Sequence, residues 1–301
     1  MANEKVWDRA FLADHKGSSA TRDRAFRTWR AIEKFSEEKK WRLDPATITP
    51  KQLRIFLEDR AQKISARSVQ NEASHLRRAI EGTGRDIGDV RDPKNAWSSA
   101  RLSVPEGSRI GGKAAASLEL YASKREKMPS DVGSGVGLVE ALGLRLKEMI
   151  ESGNSLSAWA RELSKPESKE RGCFLKVVDG TKGGRPRFVF IPPERISKVE
   201  AANLAASTSA EKNGCFIVQG ENLKSAMARY SNCLYSLDLR GDDSGHGLRR
   251  AFAQAQYEYY RNSGLSEKVA LMRLSQDLGH GDGRGRWVFN NYLSGGEGGD
   301  K

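Results

Sequence analysis

Along the first third of the chain, apolar residues recur at helical intervals. In 21–40 (TRDRAFRTWRAIEKFSEEKK), Phe26, Trp29, Ile32 and Phe35 fall on one face with arginines opposite, which predicts an amphipathic helix. Thr49 followed by Pro50 reads as a helix start, a capping residue and then proline at the first helical position. Leu53, Phe56 and Leu57 share a face after it. Residues 65–81 (SARSVQNEASHLRRAIE) predict another helix, opened by Ser65 and closed by Gly82-Thr83-Gly84. Three or four such helices make a small bundle with an arginine-rich exterior.

The stretch 98–113 has no periodicity and is rich in Ser, Gly and Arg, so it reads as connecting chain, with a linker at 106–112. Beyond it, two β-branched and aromatic runs, 173–180 (CFLKVVDG) and 185–192 (RPRFVFIP), flank Thr181-Lys182-Gly183-Gly184 and predict a hairpin. Helices follow at about 193–206, 222–236, 246–262 and 266–278. Leu248, Phe252 and Ala255 line one face of the third, and Leu271, Leu274 and Leu278 one face of the fourth. The tail, SGGEGGDK, predicts disorder, and no internal repeat is present. The pattern divides the chain into a helical domain over 1–105, the linker, a mainly helical domain with a small sheet over 113–294, and a tail over 295–301.

Charge narrows the partner class. Lys and Arg number 51 against 39 Asp and Glu, a net of +12. Residues 1–105 hold 22 against 15, a net of +7, and the rest 29 against 24, so the basic surface is densest in the first domain. Such a balance points to a polyanion, nucleic acid first, against the alternative of a merely solvated face. Arg27, Arg30, Arg67, Arg77 and Arg78 are the candidate phosphate contacts there. No uninterrupted apolar run approaches a membrane span, and the N-terminus lacks the apolar core of a secretory signal. The widely spaced Cys173, Cys215 and Cys233 read as reduced, buried thiols of a cytoplasmic protein.

One set of polar residues stands out by its order. Gly143-Leu144-Arg145 ends an apolar segment and is followed by Glu148; Lys182 sits at the hairpin tip. His246-Gly-Leu-Arg249 opens one helix, Leu278-Gly279-His280 ends the next, and Tyr292 follows in WVFNNYL. Two arginines can grip non-bridging phosphate oxygens, and two histidines can donate a hydrogen bond or move a proton. A lysine on a tip can protonate a leaving oxygen, and a tyrosine relieved of its proton is a nucleophile toward phosphorus. The chain has no DxD or HExxH motif and no GxxxxGK[ST] loop, so neither metal nor ATP is implied. The combination suggests transesterification on a phosphodiester. Tyr257, Tyr259 and Tyr260 are rival nucleophiles by composition alone. Arg185 and Arg187, beside the lysine turn, are expected to contact phosphates.

These residues resemble those of the tyrosine recombinase (phage integrase) family, over about 113 to 293. Arg145 in ALGLRLKE matches the first arginine, Lys182 in GTKGGRPRFVFIP the hairpin lysine, His246 and Arg249 the HxxR box, His280 the LGH box, and Tyr292 the nucleophile. The resemblance implies a mainly α fold of the tyrosine recombinase/type IB topoisomerase-like kind. It has a helical, SAM-like core-binding domain and a mainly helical catalytic domain with a small antiparallel sheet. It implies attack by Tyr292 on a DNA phosphate to give a 3′-phosphotyrosyl enzyme and a free 5′-hydroxyl. Arg145, Arg249 and His280 would hold the phosphate, His246 would help remove the phenol proton, and Lys182 would protonate the leaving oxygen. No cofactor is implied. The expected partner is double-stranded DNA bearing recombination sites, bound by a homotetramer on two duplexes. Accessory DNA-bending or directionality factors are further candidate partners, and the setting is a bacterial or phage-encoded protein of the cytoplasm, associated with the nucleoid. The role implied is integration or excision of a mobile element; Xer-like dimer resolution, or a non-cleaving DNA-binding protein on this scaffold, are the alternatives. Three features depart from the pattern. The His280–Tyr292 gap is longer than usual and carries GDGRGR, the short Gly-rich tail is ill suited to docking on a neighbouring subunit, and a separate arm-binding domain is not expected.

Overall fold

The computed structural model describes residues 2–14, 19–106 and 114–295. The expected linker lies almost wholly outside the described residues, as does nearly all of the Gly-rich tail. The chain forms two compact units, Met1–Arg109 and Ile110–Lys301.

The first unit contains α1 (Ala2–Asp14), α2 (Ser19–Lys39), α3 (Pro50–Ala61) and α4 (Ala66–Glu81). The periodicity of 21–40 buries Trp29, Ile32 and Phe35, with Phe26 half-buried at the edge. Helix α1 precedes the helices expected from sequence and adds Trp7 and Phe11, one turn apart, to the core. Trp7 stacks on Trp29 with centroids 5.5 Å apart. Thr49 caps α3 through Gln52, with Pro50 at the first helical position, and Ser65 caps α4. A two-pronged pair from Arg60 to Glu72, both contacts 2.8 Å, ties α3 to α4.

The second unit runs α5 (Leu118–Lys124), α6 (Ser130–Leu142), α7 (Leu146–Glu151), α8 (Leu156–Leu163), α9 (Pro166–Arg171), β1 (Cys173–Val177) and β2 (Arg187–Ile191). It continues with α10 (Ile196–Lys212), α11 (Leu223–Ser236), α12 (Gly245–Asn262), α13 (Glu267–Asp277), α14 (Gly285–Val288) and a closing π-helical turn, Phe289–Leu293. Helix α6 is buried nearly all round and forms the centre against which α10 and α12 pack. The antiparallel hairpin pairs Cys173 with Ile191 and Val177 with Arg187. Its strands are shorter than 173–180 and 185–192, because glycines 180, 183 and 184 take positive φ and splay 178–186 into a wider loop. Helix α10 extends past residue 206, where Ser207, Thr208 and Ser209 return their hydroxyls to carbonyls four residues back and Ala206, Ser209 and Ala210 are buried. On α12 the buried row is Leu248, Phe252 and Gln256, whereas Ala255 turns to solvent.

Candidate active site

Helix α6 stops because Gly143 adopts the left-handed conformation (φ 58°, ψ 37°). A Cβ at this position would lie 2.3 Å from the Phe252 ring of α12, so glycine is also required by space. The chain then re-enters helix with Arg145 as the cap of α7. Glu148, three residues on, accepts from the Arg145 backbone N–H at 2.9 Å and from its guanidinium. This is the glutamate half of a capping box, since an arginine side chain in the cap position has no acceptor to offer the backbone. Glu148 is fully buried, and its second oxygen also takes Arg187 Nη2 at 2.8 Å, with Arg249 Nη1 3.8 Å away. One carboxylate thereby organises three arginines.

The remaining guanidinium donors find carbonyls at helix ends, where no intrahelical donor is left and the dipole favours cations. Arg249, fully buried one turn after His246 on α12, donates to Gly143 O beyond α6 and to Leu278 O beyond α13, the latter at 2.6 Å. Arg145 Nη2 also reaches Leu278 O, at 3.0 Å, and Arg187 donates to Asp277 O. Gly279 makes the approach feasible: its φ is 65°, and a Cβ would meet Arg187 Cδ at 2.6 Å.

Tyr292, on the π-helical turn and only 3% exposed, points its hydroxyl into this cluster. The phenol oxygen lies 3.3 Å from Arg249 Nε and 3.3 Å from His280 Nε2. Arginine can only donate, so the phenol oxygen accepts from Arg249, while the contact with His280 runs in the direction set by the imidazole tautomer. The His246 ring lies 5.8 Å from that of Tyr292, and Trp287 packs 4.5 Å from His280. The rival tyrosines do not share this setting. Tyr260 donates to Asp277 Oδ2 at 2.6 Å, and Tyr259 packs on Phe190.

The electrostatics follow from crowding three arginines in a buried space. Burial by itself would raise Glu148, but Arg187, through charge and hydrogen bond, and then Arg249 and Arg145 outweigh it and hold its pKa at about 2. Burial, then the charges of Arg249, Arg145, Arg284 and Arg187, depress His280 to about 3. Desolvation lowers even Arg249, to about 10. The pocket is therefore a positive site with a neutral imidazole facing the phenol, suited to an anion.

Of the residues expected from sequence, Arg145, Arg249, His280 and Tyr292 are in direct contact or share partners. Arg145, Lys182 and His280 line one open cleft, Lys182 exposed on the hairpin tip. His246 stands exposed in the first turn of α12. Arg185 is exposed and lines the same cleft. Arg187 is a correction. Strand alternation places it on the inward face with Val189 and Ile191, where its guanidinium is used on Glu148 and two carbonyls, so it lines the cleft from within and is not an exposed residue like Arg185. Arg77 is half-buried and donates to Trp97 O at 2.8 Å and to Ser99 Oγ. Arg27, Arg30, Arg67 and Arg78 are exposed on α2 and α4. The organising role of Glu148 was not assigned from sequence, although its place three residues after a helix-opening residue was the signal. Nor was the polar layer behind the site, in which Arg195, Gln256, Tyr260 and Asp277 are linked in series. It had no sequence signal, because its members come from three separate elements.

An integrase family model matches residues 103–255, half of the chain; the match contains Arg145, Lys182, His246 and Arg249 and ends before His280 and Tyr292. No curated protein sequence matches the chain. Among solved structures, lambda integrase bound to DNA is similar with a TM-score of 0.54 at 17% identity, over 90% of this chain and 91% of that one. The Tn1549 transposon integrase in complex with transposon right end DNA has a TM-score of 0.56 at 12% identity, over 97% and 95%. The XerH site-specific recombinase bound to a palindromic difH substrate has 0.55 at 13%, over 91% and 76%. At these identities the structures speak for the fold alone. With the family match over half its length, this chain belongs to the integrase, or tyrosine recombinase, family.

Proposed function

We propose that this protein is a site-specific DNA recombinase that cuts and rejoins strands through a 3′-phosphotyrosyl intermediate, serving integration or excision of a mobile element. The observation that carries the reading is the Tyr292 hydroxyl held 3.3 Å from both Arg249 Nε and His280 Nε2 of its own chain. Arg145 and Arg249 would exchange carbonyl contacts for the two non-bridging oxygens, His280 adding a hydrogen bond. The phenol oxygen forms the new bond to phosphorus as the bond to the 5′-oxygen breaks, so the phosphodiester is conserved and no external energy source enters. His280 stays with the phosphate as a hydrogen-bond donor, and His246 takes the phenol proton. Lys182, free to move on its hairpin tip, supplies the proton to the departing 5′-oxygen. Rejoining runs the same steps in reverse with a 5′-hydroxyl from a second duplex.

The partner is double-stranded DNA, to which the first unit contributes the exposed Arg27, Arg30, Arg67 and Arg78. Lambda integrase is known as a tetramer bound to a Holliday junction, and the same assembly on two duplexes is proposed here. The test begins with selection of a bound site from random-sequence duplex DNA. A version of that site nicked beside the crossover lets the short fragment diffuse away and traps any covalent complex. A denaturation-resistant protein–DNA adduct supports the reading. Specific binding with no adduct would make this a non-cleaving DNA-binding protein.

A further inference from the structure

The cleft beside the candidate active site carries more cations than one scissile phosphate needs. Arg145 and Arg249 are accounted for by that phosphate, and Arg187 is occupied by Glu148. Lys182 and Arg185 come from the hairpin, and Arg273 and Arg284 from the α13 side of the same cleft. All four are exposed, and among the described residues none of their side chains has a hydrogen-bond or ion-pair partner. The one acidic residue among those lining the cleft, Asp277, is buried and accepts from Tyr260 and the Phe190 backbone.

Arg284 belongs to the segment between His280 and Tyr292 that is longer than the family pattern. This segment is built as a definite loop. Gly281 and Gly283 both have φ of 75°, folding the chain back on α13. Ser275 Oγ donates to Gly281 O at 2.7 Å and Gln276 Nε2 to Asp282 Oδ1 at 2.8 Å, fastening the loop to the end of the helix. Arg273 and Gln276 are three residues apart and share a face of α13, so the fastened loop brings Arg284 to the wall that Arg273 lines. Pinning also removes Asp282 as an ion-pair partner for either arginine.

We infer that Arg273 and Arg284 form a binding site for a second phosphodiester of the cleaved strand, adjacent to the scissile one, with the glycine loop as its support. The inference rests on the recombinase reading, which supplies the scissile phosphate it flanks. The site would anchor the strand on the side of His280 and hold the scissile group in register for Tyr292.

The test uses the full chain and the duplex selected by it. Arg273→Gln and Arg284→Gln, substitutions of exposed side chains without partners, should fold as the parent does. Each should reduce the steepness of log K against log salt by about 0.9, the value for one lost phosphate contact, and weaken binding about tenfold. The adduct should still map to the same phosphate. A methylphosphonate placed at single positions around the crossover removes one phosphate charge at a time. At one flanking position it should reduce parental binding by at least that factor, have a smaller effect on either single variant, and have none on the variant carrying both Arg273→Gln and Arg284→Gln. An unchanged salt slope, or additive losses at every flanking position, would overturn the inference while leaving a parental adduct, and so the recombinase reading, intact. A parent that forms no adduct would remove both.

Discussion

Replacing Glu148 by Gln keeps the shape of the side chain and removes the charge around which Arg145, Arg187 and Arg249 are gathered. Its magnitude can be reached in two ways. Glu148 ionises at about 2 in the folded chain against an ordinary 4.5, which by linkage corresponds to about 3 kcal/mol of stability, present above pH 4.5 and lost as pH falls toward 2. Breaking a buried pair by removing one partner costs about 3–5 kcal/mol, because the opposite charges are left uncompensated. A loss of about 3 kcal/mol should lower the melting temperature of a unit of this size by about 6–12 °C. Calorimetry on the full chain reads this as a downward shift of one transition, since the residues involved all belong to the second unit. Adding Arg187→Met to Glu148→Gln removes one of the stranded charges, so the double variant should be less destabilised than the two single losses summed. A Glu148→Gln transition within 1–2 °C of the parent, or strict additivity with Arg187→Met, would show that the carboxylate does not hold the arginines together.

Arg145→Ala should slow covalent complex formation by about 10²–10³-fold with little loss of DNA affinity, the effect of removing one donor to a developing oxyanion; single-turnover cleavage at saturating protein measures it. His280 titrates near 3 when folded against an ordinary 6.5, so the unfolded chain binds its proton first and stability declines as pH falls from 6.5 toward 3. His280→Gln should flatten that part of a denaturation-midpoint profile, and an unchanged slope would contradict it. Because arginines supply the positive charge in the proposed step, adduct formation should persist in excess EDTA. Loss on chelation with recovery on adding magnesium would indicate a nuclease instead.

Much of the fold was legible because its signals are local. The caps at Thr49 and Ser65 and the apolar rows of α2, α3 and α13 act within a turn or two, and the structure forms them where the pattern put them. The polar set was legible for a different reason, as an order of motifs matching a family. What stayed hidden depends on contacts between distant segments. Arg187 was judged by its neighbour Arg185 and the turn, although the alternation of RFVFI already placed it with Val189 and Ile191. Arg77 lies on the arginine-rich stretch of α4, but residues 97–99 return to accept its hydrogen bonds, which no pattern within the helix announces. The carbonyls of Gly143 and Leu278 that receive the arginines are backbone groups exposed only because two helices end side by side.

The account turns on which oxygen becomes joined to DNA. Peptide mapping of the adduct trapped on the nicked site answers this directly, with Tyr292→Phe run beside the parent. The phosphorylated residue should be Tyr292, and the phenylalanine variant should bind the site with nearly parental affinity and form no adduct. A DNA-linked peptide containing Tyr257, Tyr259 or Tyr260, or an adduct that survives Tyr292→Phe, would contradict the assignment of this site.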